Sequence, residues 1–301
     1  MNNKSWLLLL FLSFIWGGSF YFIGEGVKVV PPLTLVWFRI FIAGLCLYIL
    51  ISWRRKKLPK QSAFWIRVSV MALLNNIIPF TLIAWGQQTI NGGLAAILNS
   101  NTAFAAVFIA AFFIPSERLD ARRLIGTMIG IFGVILVIGW ESLMSLTLTS
   151  LSQMAVLLAS VSYAFGSVWG KTKLADYGPL DIACGTLLVG SLMAAPIVVY
   201  VDGMPGVDIF HLKFILILIG LSIGGTALAY VIYFRILELA GASNLMLVTI
   251  IVPVFAVMID AMLLQEWISL QTLGGFFIIS LGLALIDGRV IKFIAKKLAA
   301  K

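Results

Sequence analysis

The sequence carries few charged residues for its length. Only 11% of its 301 residues are charged, and 61% are hydrophobic, whereas a soluble domain carries about 25% charged residues. So few charges are not enough to cover a surface that faces water on all sides. The composition therefore excludes an ordinary soluble globular protein and indicates a multi-span membrane protein.

Residues that carry enzymatic or metal chemistry are also scarce. The one histidine, His211, lies in a polar connector, and the two cysteines, Cys46 and Cys184, lie in apolar runs. Such cysteines are more typical of small core residues than of a disulfide. Zinc-binding, P-loop and nucleophile-elbow motifs are missing from the sequence. We therefore predict a protein that is not an enzyme and has no catalytic residues, cofactor or metal site.

Ten apolar runs are long enough to cross a bilayer as helices, whereas the strands of a membrane barrel would be shorter and alternating. The predicted spans are residues 5–23, 33–53, 64–85, 92–114, 123–140, 150–170, 180–201, 212–234, 242–264 and 270–287. The first run has no small-residue cleavage site, so we interpret it as a span that is retained rather than as a signal peptide. The predicted fold class is an all-α integral membrane protein with ten transmembrane helices.

The distribution of basic residues predicts the orientation. With the N-terminus in the cytoplasm, all of the 21 Lys and Arg residues fall on the cytoplasmic side except Lys28 and Lys213, which fall outside, and Arg39, which is within span 2. Cytoplasmic loops collect Lys and Arg, so the net charge of +9 reflects orientation rather than nucleic-acid binding. We predict a cell (inner) membrane protein with both termini cytoplasmic. Its predicted partners are the lipid bilayer and a small-molecule substrate, with no nucleic acid, and the chain is predicted to be a monomer or homodimer.

The two halves of the chain resemble each other weakly but collinearly. Aligning Glu117 with Glu266, an offset of 149 residues, also brings two later glycines of each half into register. Each half holds five spans, and because five is odd, the second half crosses the membrane upside down. We predict two repeats, residues 1–148 and 149–301, that form a single transport domain. Inverted repeats of this kind occur in secondary transporters, with the substrate site near the midplane between the halves.

Several segments resemble the EamA family of the drug/metabolite transporter superfamily. They are WGGSFYFIG in span 1, FRIFIAG in span 2 and the paired Glu–Gly–Gly endings of spans 4–5 and 9–10. The resemblance implies a 5+5 helical fold with a central cavity lined by spans 1, 3, 4, 6, 8 and 9. It also implies export or exchange of small metabolites, with aromatic and other neutral amino acids as the leading substrate class. One departure is that Pro253 of span 9 matches the family, whereas the first half has Phe104 there, so we expect a midplane kink in one half only.

Four asparagines of spans 3 and 4 fall at one depth near the midplane: Asn75, Asn76, Asn99 and Asn101. Amide groups in hydrocarbon are costly unless they are hydrogen-bonded, so these side chains either line a polar path or join neighbouring helices. On a continuous helix Asn99 and Asn101 lie about 200° apart and do not both face one cavity. We predict that at least one of the four lines the substrate path.

Aromatic and charged residues complete the candidate substrate-binding set. Trp16, Tyr163 and Tyr230 fall at matching depth, where they either stack against a planar or apolar substrate or pack in the core. Arg39 and Asp260 are intramembrane charges, which are functional candidates by default. They either form an ion pair or snorkel to the interface, or Arg39 binds a substrate carboxylate.

Small residues and one proline are candidates for close packing or bending. They are Gly18, Gly166, Gly224, Gly225 and Pro253. In a transporter built from two halves, such positions would let the halves rock about a midplane site.

The sequence thus predicts a membrane transporter, either an exporter, an exchanger or a facilitator. Its substrates would be amino acids or similar amphipathic metabolites, moved by alternating access. The alternatives are a nucleotide-sugar transporter, a transporter of cationic drugs or amines, and a receptor or assembly subunit that transports nothing. A phosphate-bearing substrate would need several midplane cations, and span 1 lacks the acidic residue of small proton-driven exporters, because Glu25 follows the predicted span.

The asparagine interpretation predicts that Asn75→Leu or Asn101→Leu abolishes transport while the protein stays folded, because each change removes a polar group from the path. Flux of labelled amino acids into proteoliposomes measures the first effect, and a monodisperse elution profile in detergent checks the second. Normal transport by both variants would show that the asparagines do not line the path.

Overall fold

The computed structural model describes residues 3–115, 117, 119–140, 147–203 and 206–288. Within these residues the chain is a bundle of ten apolar helices. They are α1 (Asn3–Gly26), α2 (Pro32–Trp53), α3 (Ser62–Gly86), α4 (Gly92–Phe113), α5 (Ala121–Ile138), α6 (Leu148–Lys173), α7 (Pro179–Val201), α8 (Leu212–Ala240), α9 (Val248–Leu263) and α10 (Leu270–Asp287). By length and composition, nine of these described helices can cross a membrane, and α9 is shorter, with 16 residues.

The ten helices correspond to the ten predicted spans, with ends that differ by a few residues. The all-α membrane fold predicted from the sequence is therefore confirmed. Arg118 and residues 289–301, which contributed basic residues to the predicted orientation, lie outside the described residues.

Short polar side chains mark where several helices begin. Asn91, Asp120, Thr147 and Ser269 each precede a helix, and each side chain accepts a hydrogen bond from the backbone N–H three residues later. Such caps satisfy one of the N–H groups that the first turn of a helix leaves unpaired. The caps therefore fix the starts of α4, α5, α6 and α10 within a sequence that is apolar almost throughout.

The closest helix pair, α5 with α10, is built on glycines. A Cβ atom on Gly275 would lie 2.9 Å from the Gly133 carbonyl oxygen, and one on Gly282 would lie 2.6 Å from the Gly126 carbonyl oxygen. Small residues let membrane helices approach until their backbones touch, so that dispersion contacts hold them together. These are the glycines that the repeat alignment brings into register, and in the structure the two sets face each other.

The third helix of each half contains a π-helical stretch. Residues Leu73–Ile77 of α3 and Ile219–Leu228 of α8 are π-helical. The first stretch contains the Asn75–Asn76 pair and the second contains the Gly224–Gly225 pair. π-helical turns are rare and occur frequently at functional sites.

The fourth helix of each half is interrupted. Helix α4 stops at Asn99 and resumes at Thr102. Before α9, a one-turn helix ends at Leu245 and the chain resumes its helix at Val248. The prediction of a kink in one half only is therefore wrong, and Pro253 lies inside a continuous part of α9.

Threonine hydroxyls and tight turns hold both interruptions. The Thr102 hydroxyl donates to the Asn99 carbonyl at 2.7 Å, and the Thr249 hydroxyl donates to the Met246 carbonyl at 2.7 Å. Backbone bonds of the i to i+3 type surround both points, which tightens the helix locally. Threonine hydroxyl groups, rather than proline, therefore accompany both interruptions.

The α5–α10 contact predicts that Gly275→Leu lowers the unfolding temperature in detergent. A Leu side chain there would press on Val137 and the Gly133 backbone, and overpacking of this kind costs about 1–3 kcal/mol. The adjacent Gly274 has no heavy atom within 4 Å of the position that a Cβ would take, so Gly274→Leu is the matched control. Equal destabilisation by both substitutions would contradict the proposed role of the glycine contact.

Candidate substrate site

Arg39 of α2 is a buried cation surrounded by neutral groups. The residue is 7% exposed, and its Nε donates a hydrogen bond of 2.9 Å to the hydroxyl of Thr226 on α8. Its guanidinium carbon lies 3.8 Å from the centre of the Phe80 ring on α3. The ring centre of Tyr163 lies 6.3 Å from that of Phe80, and Tyr230 lies one helical turn after Thr226 on α8. Among the described residues, no carboxylate lies within ion-pair distance of Arg39, and its terminal N–H groups have no hydrogen-bond acceptor.

A charge in this position is energetically unfavourable unless its surroundings compensate for it. The ring of Phe80 offers a cation–π contact, and the Thr226 hydroxyl offers one acceptor. That hydroxyl in turn donates to the Leu221 carbonyl at 2.9 Å, five residues earlier, which is the spacing of the π-helical stretch. The irregular backbone of α8 therefore positions the group that holds Arg39.

Two of the predicted asparagines meet a predicted tyrosine beside this arginine. The side-chain amides of Asn75 and Asn76 donate to the Tyr230 hydroxyl at 3.4 and 3.5 Å, longer than the usual 2.9–3.0 Å. Asn76 is fully buried and its Oδ1 has no partner among the described residues. The Ser162 hydroxyl of α6 donates to the Leu74 carbonyl at 2.8 Å, so the π-helical stretch of α3 is tied to α6 as well.

The structure therefore brings Arg39, Asn75, Asn76, Tyr163 and Tyr230 into one group, which we call the Arg39 cluster together with Phe80 and Thr226. Sequence reasoning did not select the last two. Phe80 lies four residues after Asn76, which places both on one face of a helix, and Thr226 directly follows the predicted Gly225. These two spacings are the features of the sequence from which Phe80 and Thr226 could have been predicted.

Three predicted substrate-binding residues do not belong to this cluster: Trp16, Asn99 and Asn101. Trp16 has its ring 5.8 Å from that of Tyr233, and Asn99 lies at the break in α4, where the Ser160 hydroxyl of α6 is 3.4 Å from its carbonyl oxygen. The helical-wheel separation of Asn99 and Asn101 does not apply, because α4 is not continuous between them. Within the described residues, none of the side chains of Trp16, Asn99 and Asn101 makes a hydrogen bond to the Arg39 cluster.

Asp260 lies in a different environment from Arg39. Its Oδ2 accepts a hydrogen bond of 2.6 Å from the Gly93 N–H at the start of α4, and the residue is 1% exposed. The prediction of an ion pair between Arg39 and Asp260 is therefore wrong, since the two residues have different partners. Both side chains are buried within the bundle rather than exposed at its surface.

Helix α1 packs against the surroundings of both charges. The side chain of Ser19 lies against Gly225, next to the Thr226 that binds Arg39. The following residue, Phe20, lies against Gly92 at the start of α4. Consecutive residues of a helix point about 100° apart. One face of α1 therefore lies beside the surroundings of Arg39, and another lies beside the start of α4, where Asp260 is bound.

The predicted small residues serve different roles. Gly166 packs against Asn75, with 3.5 Å between its would-be Cβ and that side chain, and Gly225 is in contact with Ser19. Gly18 is less crowded, with Ile259 at 3.6 Å, and Gly224 has no neighbour within 4 Å. Close packing therefore applies to Gly166 and Gly225, while Gly224 leaves open space beside the π-helical stretch.

A bundle of ten apolar helices with a buried charged residue where its two halves meet is typical of membrane transporters. The sequence model of the EamA-like transporter family matches residues 3–139 and again residues 150–287. The chain belongs to this family, and it is a multi-pass membrane transporter rather than an enzyme.

Individual relatives agree with this assignment. The chain is 23% identical to the "Uncharacterized transporter YoaV" of Bacillus subtilis (strain 168), over 93% of this chain and 95% of the relative. It is 26% identical to a "Probable amino-acid metabolite efflux pump" of Escherichia coli (strain K12), over 93% and 94% of the two chains. One crystal structure matches with a TM-score of 0.68 and 16% identity, covering 95% of this chain and 98% of the other, which shows a shared fold.

The Arg39 cluster predicts that Thr226→Val lowers stability, because it removes the acceptor of a hydrogen bond from a buried charge. Losing such a bond costs about 1–3 kcal/mol, which thermal unfolding in detergent measures. Thr172→Val is the matched control: its hydroxyl also donates to a carbonyl of its own helix, at 2.8 Å, but holds no arginine. A loss of stability no larger than the control's would contradict this role of Thr226.

Proposed function

We propose that the protein transports small carboxylate-bearing metabolites, amino acids foremost, by alternating access between two five-helix halves. The observation that carries the proposal is the Arg39 cluster, in which a buried guanidinium has no anionic partner among the described residues. Intramembrane charges that face a bundle interior mark substrate pathways by default. A substrate carboxylate would supply the anion that the protein does not.

A guanidinium is well suited to this task. It stays charged, and its planar fork of N–H donors matches the two oxygens of a carboxylate. One donor, Nε, is held by Thr226, which orients the group and leaves the terminal nitrogens for a ligand. The Arg39 cluster therefore favours a carboxylate over a neutral or cationic group at this position.

Aromatic and amide side chains around Arg39 extend the recognition to an amphipathic molecule. Tyr163 and Phe80 have ring centres 6.3 Å apart, and the rings of Tyr230 and Phe234 are stacked at 6.2 Å. The long hydrogen bonds of the asparagines to Tyr230 leave amide groups that a polar substrate group would bind better. Amino acids combine a carboxylate with such a side chain, and the relative in Escherichia coli, named as a probable amino-acid metabolite efflux pump, supports this class.

Alternating access requires helices that bend, and the irregular helices are the candidates for bending. The π-helical stretches of α3 and α8 overlap at the repeat offset of 149 residues, and the α4 interruption at 100–101 maps onto 249–250, three residues after the interruption that precedes α9. Backbone irregularities at membrane depth are tolerated where they are buried in protein or line a cavity. We propose that these four positions bend as the halves, residues 1–148 and 149–301, move about the Arg39 cluster.

The alternative substrates fit the cluster less well. A nucleotide sugar carries two phosphate groups and would be expected to require several cations, whereas the Arg39 cluster has one. A cationic drug or amine would be repelled by Arg39. A receptor or assembly subunit that transports nothing would gain no benefit from a buried charge that lacks a partner.

We further propose an inner-membrane location with both termini cytoplasmic and a monomeric or homodimeric state. Two ion pairs agree with that orientation, because both fall on the predicted cytoplasmic side. Glu117 pairs with Lys171, which joins the α4–α5 connector to the end of α6. Arg235 pairs with Glu238 at 2.9 Å near the end of α8.

The proposal predicts that Arg39→Gln weakens the binding and transport of phenylalanine about 10- to 100-fold, the equivalent of one charge-assisted hydrogen-bond pair. The measurements are a thermal-shift titration in detergent and flux into proteoliposomes. Arg67→Gln is the matched control, since Arg67 also donates one hydrogen bond and lies over an aromatic ring, but at the other end of α3, near Lys173. Unchanged phenylalanine binding by Arg39→Gln, or an equal loss in the control, would contradict the proposal.

A further inference from the structure

A polar cavity, separate from the Arg39 cluster, lies where α1 ends and α4 begins. Its volume is about 320 Å³, within the range that metabolite-sized ligands occupy. The polar residues that carry the inference are Glu25 from α1, Gln87 from the α3–α4 connector, and Asp260 and Glu266 from the end of α9 and its connector. Tyr21 of α1 also lines this cavity, which we call the vestibule.

Asp260 is the deepest acid of the vestibule. Its Oδ2 is engaged by the Gly93 N–H, but its Oδ1 has no partner among the described residues, and the side chain is almost fully buried. An unpaired carboxylate oxygen that has lost its water is unfavourable. The start of α4 stabilises one oxygen of the pair, and the other is left for a donor that the protein does not provide.

Gln87 has a similar lack of partners. It is 6% exposed, and in the described structure neither Oε1 nor Nε2 of its amide has a hydrogen-bond partner. A buried amide that makes no hydrogen bond is rare in proteins. Gln87 and Asp260 line the same cavity from different halves of the chain, so the vestibule contains unsatisfied acceptors on two sides.

The charge balance of the vestibule favours a cation. Glu25 is neutralised by Lys28 at 2.5 Å and by Lys213 at 2.7 Å. Asp260 and Glu266 have no basic partner within ion-pair distance in the described part of the chain. The vestibule therefore has an excess of negative charge, the opposite of the Arg39 cluster, and α1 contacts both regions through Ser19 and Phe20.

We propose that the vestibule binds the protonated amino group of the substrate, with Asp260 as the anionic partner and Gln87 as a further acceptor. This inference rests on the proposed function and narrows its substrate class to amino acids with a free ammonium group. An ammonium group has three N–H donors, and its hydrogen bond to a carboxylate is among the strong ones in proteins. The vestibule, whose lining does not include Arg39, is thus a station that binds the ammonium group before or after the carboxylate reaches the Arg39 cluster.

Two half-substrates separate the stations. Phenethylamine carries the ring and the ammonium group of phenylalanine, and 3-phenylpropionate carries the ring and the carboxylate. Thermal-shift titrations of the full chain in detergent measure the binding of each, with choline chloride as an ionic-strength control that has no N–H donor. We expect Asp260→Asn to weaken phenethylamine binding tenfold or more and to leave 3-phenylpropionate binding unchanged, while Arg39→Gln does the reverse.

Control variants show which of the two proposed sites a given result contradicts. Glu238→Gln removes an exposed carboxylate at the end of α8, outside the vestibule, so it should alter phenethylamine binding less than threefold. If Asp260→Asn does not fold, Gln87→Met tests the same prediction, because Gln87 has no bond to lose. Unchanged phenethylamine binding in the Asp260 and Gln87 variants, or an equal loss with Glu238→Gln, overturns the vestibule proposal alone. Failure of 3-phenylpropionate to bind the native chain overturns the carboxylate station and leaves the vestibule result standing.

Discussion

The burial of Arg39 is the constraint on which the centre of this protein depends. A guanidinium removed from water must be compensated by hydrogen bonds, an aromatic face or an anion, and here Thr226 and Phe80 supply the first two. Both partners come from helices other than α2, so the charge links α2, α3 and α8. Because the compensation is incomplete among the described residues, the same charge that organises the bundle is available to a ligand.

The irregular backbone follows from that arrangement. Hydrogen bonds of a regular helix occupy every interior carbonyl, and a π-helical stretch shifts this pattern. In α8 the shift lets Thr226 bind both the Leu221 carbonyl and Arg39, and in α3 it places Asn75 and Asn76 beside Tyr230. Regular helices suffice for the peripheral α5–α10 pair, where glycine contacts alone set the distance. The π-helical stretches thus lie at the candidate site, whereas the peripheral α5–α10 pair is regular.

The molecule has two regions of opposite charge, the cationic Arg39 cluster and the anionic vestibule. Among the described residues, the buried cation between the halves has no anionic partner, and the vestibule at one end of the bundle contains acceptors without a donor. Helix α1 contacts both, so a movement of α1 would alter both together. Relatives about a quarter identical to this chain match it over almost its whole length, but buried polar groups, rather than the helices, are what would distinguish one substrate from another.

Sequence patterns determined the helices, their number and the family, because a membrane span must be long, apolar and internally hydrogen-bonded. The asparagine and tyrosine positions near the Arg39 cluster were also predictable, since polar groups in an apolar run are conspicuous. The partners of Arg39 and Asp260 were not, because depth along two helices does not specify which faces meet. The paired interruptions were missed because Thr102 and Thr249, not Pro253, hold them. Only the tertiary structure decided these points, because contacts across helices depend on rotation and crossing, which a linear hydropathy pattern does not contain.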